Sequence, residues 1–174
     1  MMVTLIFLHS RRLEIDFMVY EVKGSLLDSN CDYICHQVNC QGKMNPGIAK
    51  SIREKWPIVY IEYAMKYFNS LPELLLGDIQ LVNINTPGAD EQAQFIINMF
   101  AQQYYGYDGR RYTSYAAFWS CLGKIKEEVP EGSSIAFPDH IGSCRGGANW
   151  NVIKTMIAEV LGNDYEVYIY KLED

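Results

Sequence analysis

The sequence lacks both a long apolar run and a surplus of positive charge. The apolar segment Met1–Leu8 falls far short of the roughly 20 residues that a membrane-spanning helix needs. It also has no basic leader of the kind that a signal peptide carries. The net charge is −6, and the Lys and Arg residues are scattered along the chain, whereas proteins that bind nucleic acid nonspecifically usually present a basic face. We therefore expect neither a membrane nor a nucleic acid as a partner.

Paired cysteines are also lacking. The five cysteines are an odd number and include no Cys-x-x-Cys pair, so we expect free thiols in a reducing, cytoplasmic compartment. Cys31, Cys35, His36 and Cys40 are close together in the sequence, but their spacing does not match the paired-ligand patterns of zinc sites. We expect thiols in or near a strand there, and neither a metal nor a cofactor.

Three common phosphate-handling motifs are absent as well. A Walker A loop ends in Gly-Lys-Ser/Thr, whereas Gly147 is followed by Ala148 and Asn149. No loop carries the Gly-x-Gly-x-x-Gly fingerprint of dinucleotide-binding folds. A cysteine phosphatase loop starting at Cys144 would need an arginine where the sequence has Trp150. These absences argue against the three corresponding classes of protein.

Strands and helices alternate along the chain, which indicates an α/β protein with a largely parallel or mixed sheet covered on both faces. The length suits one domain. We assign residues 18–174 to that domain and 1–17 to an amino-terminal extension that forms an extra edge strand, with Met18 as a second candidate start. The predicted strands are 13–22, 33–38, 78–85, 94–100, 134–137 and 165–170, and the predicted helices are 47–55, 58–68, 113–128 and 149–161.

Two glycine-rich loops each connect a predicted strand to a predicted helix. In the first loop, residues 36–49, the backbone N–H groups of Gly47, Ile48 and Ala49 would point out of a helix start, which favours a phosphate. In the second loop, residues 138–150, three glycines would let the backbone wrap a diphosphate. The alternative for each is an ordinary connection, and finding two such loops in one small domain weakens it.

At these loops the sequence resembles the macrodomain family, and the resemblance extends from Met18 to Leu172. It is carried by four blocks in the family's order: 22–24 with the turn that follows; 36–42 leading to 47–49; Asn98-Met99 with Gln102; and 141–144 leading to 146–147 and Trp150. The most similar branch is the short bacterial and phage macrodomains, related to ADP-ribose 1″-phosphate phosphatases and glutamyl-ADP-ribose hydrolases.

The resemblance implies a three-layer αβα macrodomain fold with a mixed central sheet and ADP-ribose, or a derivative, in a cleft between the loops. It implies that Gly24, Ser25 and Leu26 lie near the adenine, that Asn39 meets the distal ribose, and that Asn98 and Gln102 line the cleft. It also implies that the diphosphate lies between two groups of residues: Gly47 and Ile48 on one side, and Gly142, Ser143, Cys144, Arg145 and Gly146 on the other.

Two departures from the family pattern bear on function. Most macrodomains have Asp where this chain has Ser25. The glutamyl-ADP-ribose hydrolase branch uses a Lys near Phe100-Ala101 and an Asp near Gly146, and both are absent here. Ser25 leaves adenine selectivity open, and the missing Lys and Asp mean that this hydrolase mechanism does not carry over.

Three functions therefore remain open: hydrolysis of ADP-ribose 1″-phosphate or of an ADP-ribosyl linkage, a non-catalytic reader of ADP-ribosylated protein, and a binder of another nucleotide. Hydrolysis needs a group that receives a proton from water. The candidates are His36, Asp139 and His140, with Asn39 orienting the ribose. The alternatives are a structural histidine at position 36, solvent-facing side chains at positions 139 and 140, and a turn-forming role for Asn39. The tyrosine-rich loop 103–112 could close over the adenine or a partner surface, or simply pack as a surface loop.

Overall fold

The computed structural model describes residues 3–9, 16–85 and 94–173, and the fold alternates strands with helices along that part of the chain. A short 3₁₀ helix, Leu26–Asp28, follows the second strand. The strands are β1 Val3–His9, β2 Asp16–Lys23, β3 Tyr33–Asn39, β4 Ile79–Asn83, β5 Phe95–Gln102, β6 Ser134–Pro138 and β7 Glu166–Lys171. The helices are α1 Gly47–Lys55, α2 Pro57–Phe68, α3 Pro72–Leu75, α4 Tyr115–Glu128 and α5 Trp150–Leu161.

The strands form one mixed sheet in the order β1-β2-β7-β6-β3-β5-β4. The five inner strands run parallel to one another, and the two outer strands, β1 and β4, each pair antiparallel with their neighbour. The carboxyl ends of the parallel strands therefore meet at one end of the sheet, where ligands bind in folds of this class.

Helices cover both faces of the sheet, and the strands sort their side chains by the two-residue period. In β5, Ile97 belongs to the core beneath α4 and α5, whereas Ile96 and Phe100 belong to the core beneath α1 and α2. The outcome is the expected three-layer αβα arrangement, with one apolar core on each side of the sheet.

Most predicted elements lie where the sequence places them. The predicted helix 47–55 coincides with α1, and α2 starts at Pro57, because the residue before a proline disfavours the α conformation. Asn149 caps α5, since its side-chain oxygen accepts from the Asn151 N–H at 2.9 Å.

Other elements differ from the prediction. Helix α4 begins at Tyr115 and not at 113, because Thr113 forms a β-bridge with Gln102 and Ser114 serves as the N-cap. The sequence analysis missed the 3₁₀ helix and α3, since both are too short to show periodicity. The start of the predicted strand 13–22 and the predicted turn 86–88 fall outside the described residues.

Among the described residues, no helix combines the length and the apolar character that crossing a membrane requires.

Candidate functional site

A cleft of about 890 Å³ opens at the carboxyl ends of the parallel strands. Strand ends from β3, β5, β6 and β7 contribute to its floor, and the two glycine-rich loops form its walls. Of the residues predicted for the site, the structure brings together Ser25, Leu26, Asn39, Gly47, Ile48, Gln102, Asp139, His140, Gly142, Cys144, Arg145 and Gly146.

Asn39 ends β3, and its side chain is committed to the first loop. Its Oδ1 accepts from the backbone N–H of Gln41 at 2.9 Å and from the Tyr63 hydroxyl at 3.0 Å, and its Nδ2 donates to the Lys43 carbonyl at 2.7 Å. Tyr63 is fully buried, and burial raises the pKa of its phenol. Asn39 therefore stabilises this loop. Because one of its two side-chain N–H donors is used for the Lys43 carbonyl, at most one is left for a ligand.

The first loop delivers the chain to α1 with the helix start facing the cleft. Pro46 is the N-cap residue and makes no side-chain cap hydrogen bond, so the first N–H groups of the helix have no side-chain partner there. Gly47 has φ +59°, and an added Cβ would meet no heavy atom within 4 Å. A glycine is thus required by the backbone conformation, and the space in front of it is open.

Hydrogen bonds from Tyr112 and Thr113 hold the second loop in place. The Thr113 hydroxyl donates to the Gly142 carbonyl at 2.8 Å and accepts from Gln37 Nε2 at 2.8 Å. The backbone N–H groups of Tyr112 and Thr113 both donate to the Gly146 carbonyl at 2.9 Å. A Cβ on Gly146 would overlap the Thr113 hydroxyl and the Gly142 carbonyl. Close packing therefore fixes the shape of this wall.

Asp139 and His140 lie on the cleft wall just after β6. His140 has φ +58°, the single positive φ among the described non-glycine residues, and such strain is common at functional sites. Its Nε2 lies 3.7 Å from the Asp139 carboxylate, and its Nδ1 lies 3.1 Å from the Ser143 hydroxyl. That hydroxyl donates to the His140 carbonyl at 2.9 Å, so Ser143 braces the turn and does not line the cleft.

His36 and Asn98 do not line the cleft, in contrast to the prediction. Both are fully buried, and His36 Nε2 lies 2.5 Å from Asn98 Oδ1. Burial lowers the pKa of His36 from 6.5 to about 4, against a smaller opposing effect of the Asn98 hydrogen bond. His36 shares the sheet face of Ile34 and Val38, which pack beneath α1 and α2. His36 is therefore a structural histidine, and it is not placed to receive a proton from a water in the cleft.

Gly24 also stays outside the cleft lining. Its N–H donates to the Lys171 carbonyl at 2.9 Å, which joins the end of β2 to the end of β7. The neighbouring Ser25 lines the cleft, but its hydroxyl caps the 3₁₀ helix by accepting from the Leu27 N–H at 3.2 Å. The turn after β2 is thus fixed by its own hydrogen bonds.

The cleft is cationic although the chain is acidic. Of the described residues that line it, four carry a positive charge and only Asp139 carries a carboxylate. The chain as a whole has a net charge of −6, so the positive charge is concentrated at this end of the sheet. The four are Lys43, Lys50, Arg145 and Lys171.

Sequence reasoning missed Gln37. This residue follows His36 on β3 and therefore points to the opposite face, where its Nε2 donates to Gln102 Oε1 at 2.6 Å. Its own Oε1 is buried and has no hydrogen-bond partner in the described part of the chain, yet the residue lines the cleft. The sequence carries no clear signal for it, because residues from both faces of β3, Gln37 and Val38 among them, line the cleft at the strand end.

The tyrosine-rich loop also reaches the cleft. Tyr105 and Tyr107 line it, and the Arg145 guanidinium lies 5.4 Å from the centre of the Tyr107 ring, within the range of a cation–π contact. This contact joins loop 103–112 to the second loop at the mouth of the cleft.

Solved structures of other proteins share this architecture. The macrodomain of Mycobacterium tuberculosis DarG matches with a TM-score of 0.68 and 22% identity, over 88% of this chain and 97% of that one. The macrodomain of Thermus aquaticus DarG matches with a TM-score of 0.67 and 23% identity, over 90% and 99%. Thermosipho africanus DarTG, in complex with ADP-ribose, matches with a TM-score of 0.71 and 20% identity, over 89% of this chain and 41% of that one.

The chain has the macrodomain fold. The fold prediction and the resemblance that led to it are thereby confirmed. No protein-family model matches the sequence, and a comparison with curated proteins gives no match. At identities of 20–23%, the structural likeness establishes how the chain folds, and function has to be argued from the residues of the cleft.

No group of three or more His, Cys, Asp or Glu residues in the described ranges could hold a metal ion. Cys31, Cys35 and Cys40 are buried, and all five cysteines are free thiols. Burial raises the pKa of Cys40 to about 11, so this thiol stays protonated at neutral pH.

Proposed function

We propose that the cleft of this macrodomain binds ADP-ribose or a close derivative. The observation that carries the proposal is the concentration of four cationic side chains against one carboxylate in a cleft between two N–H-rich loops. A diphosphate is the part of ADP-ribose that such an arrangement favours, because it accepts hydrogen bonds from N–H groups and from Lys and Arg.

The remaining parts of the cleft suit the remaining parts of this ligand. Leu26 and Leu172 supply apolar surface beside Lys171 at one end, which suits the face of a base. Asn39 and Gln102 bring side-chain amides to the cleft lining, and an amide can donate to or accept from a ribose hydroxyl. A related fold, that of Thermosipho africanus DarTG, was solved in complex with ADP-ribose. The volume of about 890 Å³ lies within the usual range of ligand sites.

A calorimetric titration tests the proposal. We expect ADP-ribose to bind with micromolar affinity, about −8 kcal/mol. Gly47→Glu should abolish binding, because a carboxylate at the start of α1 would repel the diphosphate from open space.

Gly132→Glu is the matched control for this substitution. Gly132 also has a positive φ, +81°, and open space around an added Cβ, but it precedes β6 at the opposite end of the sheet. Both variants therefore bear similar backbone strain, and only Gly47→Glu should lose the ligand. Equal affinity in the two variants would place the ligand elsewhere.

A second candidate function is hydrolysis at the distal ribose, of ADP-ribose 1″-phosphate or of an ADP-ribosyl linkage. The observation that favours it is the pairing of Asp139 and the strained His140 on the cleft wall. With His36 buried elsewhere, these are the two predicted acid–base residues that remain on the cleft wall, where they could receive a proton from an attacking water.

Incubation with ADP-ribose 1″-phosphate and measurement of released phosphate tests this second function. His140→Gln and Asp139→Asn should each reduce the rate while ADP-ribose affinity stays within a few-fold. A wild-type chain that binds ADP-ribose without releasing phosphate from this substrate or ADP-ribose from modified protein would instead be a reader of ADP-ribosylated protein.

The same titration can test base selectivity, which the residue at position 25 is expected to influence. Its hydroxyl is occupied by capping the 3₁₀ helix, so it offers a base less than the acidic side chain that most macrodomains have there. We expect ADP-ribose and its analogue with hypoxanthine in place of adenine to bind within a few-fold of each other. A strong preference for adenine would assign base recognition to another residue of the cleft.

A further inference from the structure

The Arg145 side chain is held in the cleft by an aromatic ring. Its guanidinium carbon lies 5.4 Å from the centre of the Tyr107 ring, and its Nη1 lies 3.5 Å from the Tyr107 hydroxyl. A ring face attracts a cation without bringing a negative charge to it. The guanidinium also has five N–H donors. The contact, which we call the Arg145–Tyr107 bridge, therefore leaves the charge and most of the donors of Arg145 available to an anion.

Arg110, on the same loop as Tyr107, shows the contrast. Its Nε and Nη2 each lie 2.6 Å from Asp108 Oδ2, so a carboxylate occupies its donors and neutralises its charge. Within the described ranges, no carboxylate lies within 4 Å of the Arg145 guanidinium. Of these two arginines, Arg145 is thus the one that is free to pair with an anionic ligand.

The loop that carries Tyr107 has a fixed shape. An added Cβ on the preceding Gly106 would overlap the Tyr112 hydroxyl, and that hydroxyl donates to Asp108 Oδ1 at 2.8 Å. The Tyr112 N–H donates to the carbonyl of Gly146 on the second loop at 2.9 Å. The two segments that form the bridge are therefore tied to each other through their backbones, and the Tyr107 ring is presented from a firm base.

The bridge crosses the middle of the cleft floor. Loop 103–112 follows β5 and the second loop follows β6, and β3 lies between these two strands in the sheet. At roughly 4.8 Å between neighbouring strands, the bridge joins segments about 10 Å apart. It therefore spans the carboxyl end of β3, and both of its residues line the cleft.

Tyr107 contributes little to the core of the protein. Its side chain is 76% exposed, so its burial cannot explain its place on the loop. Tyr104 lies on the same loop and is 62% exposed, but it does not line the cleft. The two tyrosines thus differ in their relation to the cleft and not in their contribution to folding.

We propose that Tyr107 is a positioning residue for ADP-ribose binding, because its ring holds the Arg145 guanidinium where it can contact the diphosphate. The inference rests on the proposed function of the cleft. A long arginine side chain loses rotamer freedom when it binds a ligand, and the ring restricts that freedom before the ligand arrives. The bridge therefore raises affinity without any direct contact between Tyr107 and the diphosphate.

Calorimetric titration of three variants with ADP-ribose tests the proposal. Tyr107→Ala should weaken binding about five- to tenfold, because the guanidinium loses the ring that holds it. Tyr107→Phe keeps the ring and should bind within about twofold of the wild type. Tyr104→Ala is the matched control and should leave affinity unchanged. All three sites of change are exposed, so the thermal midpoints should stay close to that of the wild type.

A double-mutant cycle separates positioning from any independent effect of Tyr107. Arg145→Ala alone should weaken binding by at least about tenfold. With Arg145→Ala in place, adding Tyr107→Ala should change affinity by less than about twofold, because the tyrosine acts through the arginine. Additive losses from the two substitutions would overturn the proposal, because a merely structural or direct role of Tyr107 would not depend on Arg145.

The same titrations distinguish this inference from the proposed function. A wild-type chain that binds no ADP-ribose overturns the proposed function and the role of Tyr107 with it. A wild-type chain that binds ADP-ribose no better than Tyr107→Ala overturns the role of Tyr107 alone.

Discussion

Asn39 shows how a single amide can organise a loop that carries a binding site. Its four side-chain hydrogen bonds tie the end of β3 to Gln41, Lys43 and Tyr63. Asx side chains commonly bond their own backbone two residues on, as here with Gln41. The position that the family resemblance assigns to the ribose is thus also the position that shapes the loop.

Replacing Asn39 with Ala tests which of the two roles dominates. We expect the thermal midpoint to fall by several degrees, since buried partners lose hydrogen bonds worth about 1–3 kcal/mol. ADP-ribose and AMP affinities should fall together, because AMP lacks the distal ribose but depends on the same loop. A loss of tenfold or more for ADP-ribose alone would contradict the bracing role and assign the ribose contact to Asn39.

His36 gives the protein a pH dependence of stability. Its pKa is about 4 in the folded chain, against 6.5 for an ordinary histidine. Between these values the unfolded chain binds a proton that the folded chain does not, so the free energy of unfolding falls as the pH drops through this window. The contribution is present above pH 6.5 and amounts to at most about 3 kcal/mol.

Urea unfolding between pH 4 and 7 measures this effect. His36→Gln should reduce the slope of unfolding free energy against pH, because glutamine does not titrate. Identical slopes in the wild type and His36→Gln would show that His36 titrates normally.

At the scale of elements, two glycines, one in the second loop and one in α4, differ in what surrounds them. Gly146 sits against Thr113 and Gly142 with no room for a Cβ, whereas Gly123 in the middle of α4 has no heavy atom within 4 Å of that position. One glycine is thus required by packing between elements, and the other weakens a helix without a packing reason.

Two alanine substitutions should therefore change the stability of the protein in opposite directions. Gly146→Ala should cost about 1–3 kcal/mol through overpacking and weaken ADP-ribose binding at least tenfold, because the loop backbone must shift. Gly123→Ala should stabilise the protein by about 0.5–1 kcal/mol and leave binding unchanged. Denaturant unfolding measures the stability of both variants, and calorimetry measures their affinity for ADP-ribose. A neutral Gly146→Ala would mean that the loop is not rigid.

At the scale of the whole molecule, the charge of the cleft is opposite in sign to the net charge of the chain. The chain carries a net charge of −6, but the cleft collects cationic side chains from four separate segments. Long-range attraction for an anionic ligand is therefore weak, and affinity must come from short-range contacts inside the cleft.

The affinity for adenosine and the response to salt test this distribution. Adenosine lacks the diphosphate, so it should bind at least about 100-fold more weakly than ADP-ribose. Raising the salt concentration should weaken ADP-ribose binding and leave adenosine almost unaffected, since only the former makes charged contacts. Equal affinities would show that the base and its ribose, and not the cationic walls, supply the binding energy.

The sequence by itself determined the fold class and the two loops. Helix α1 follows from the apolar spacing of Ile48 and Ile52 and from the Trp56-Pro57 stop, and both loops follow from glycines between a strand and a helix. Such signals are local, because periodicity and turn chemistry act within about a dozen residues. They can therefore be recognised without any knowledge of tertiary contacts.

Only the tertiary structure decided which polar residues face the cleft. His36 and Gln37 are neighbours, and the phase of β3 in the sheet buried the former and exposed the latter to the site. The cationic cleft arises because Lys43, Lys50, Arg145 and Lys171 come from segments that meet only through the order and register of the strands. That convergence is a property of the assembled sheet, since Lys43 and Lys50 are far from Arg145 and Lys171 in the sequence and carry no local signal of their proximity to them.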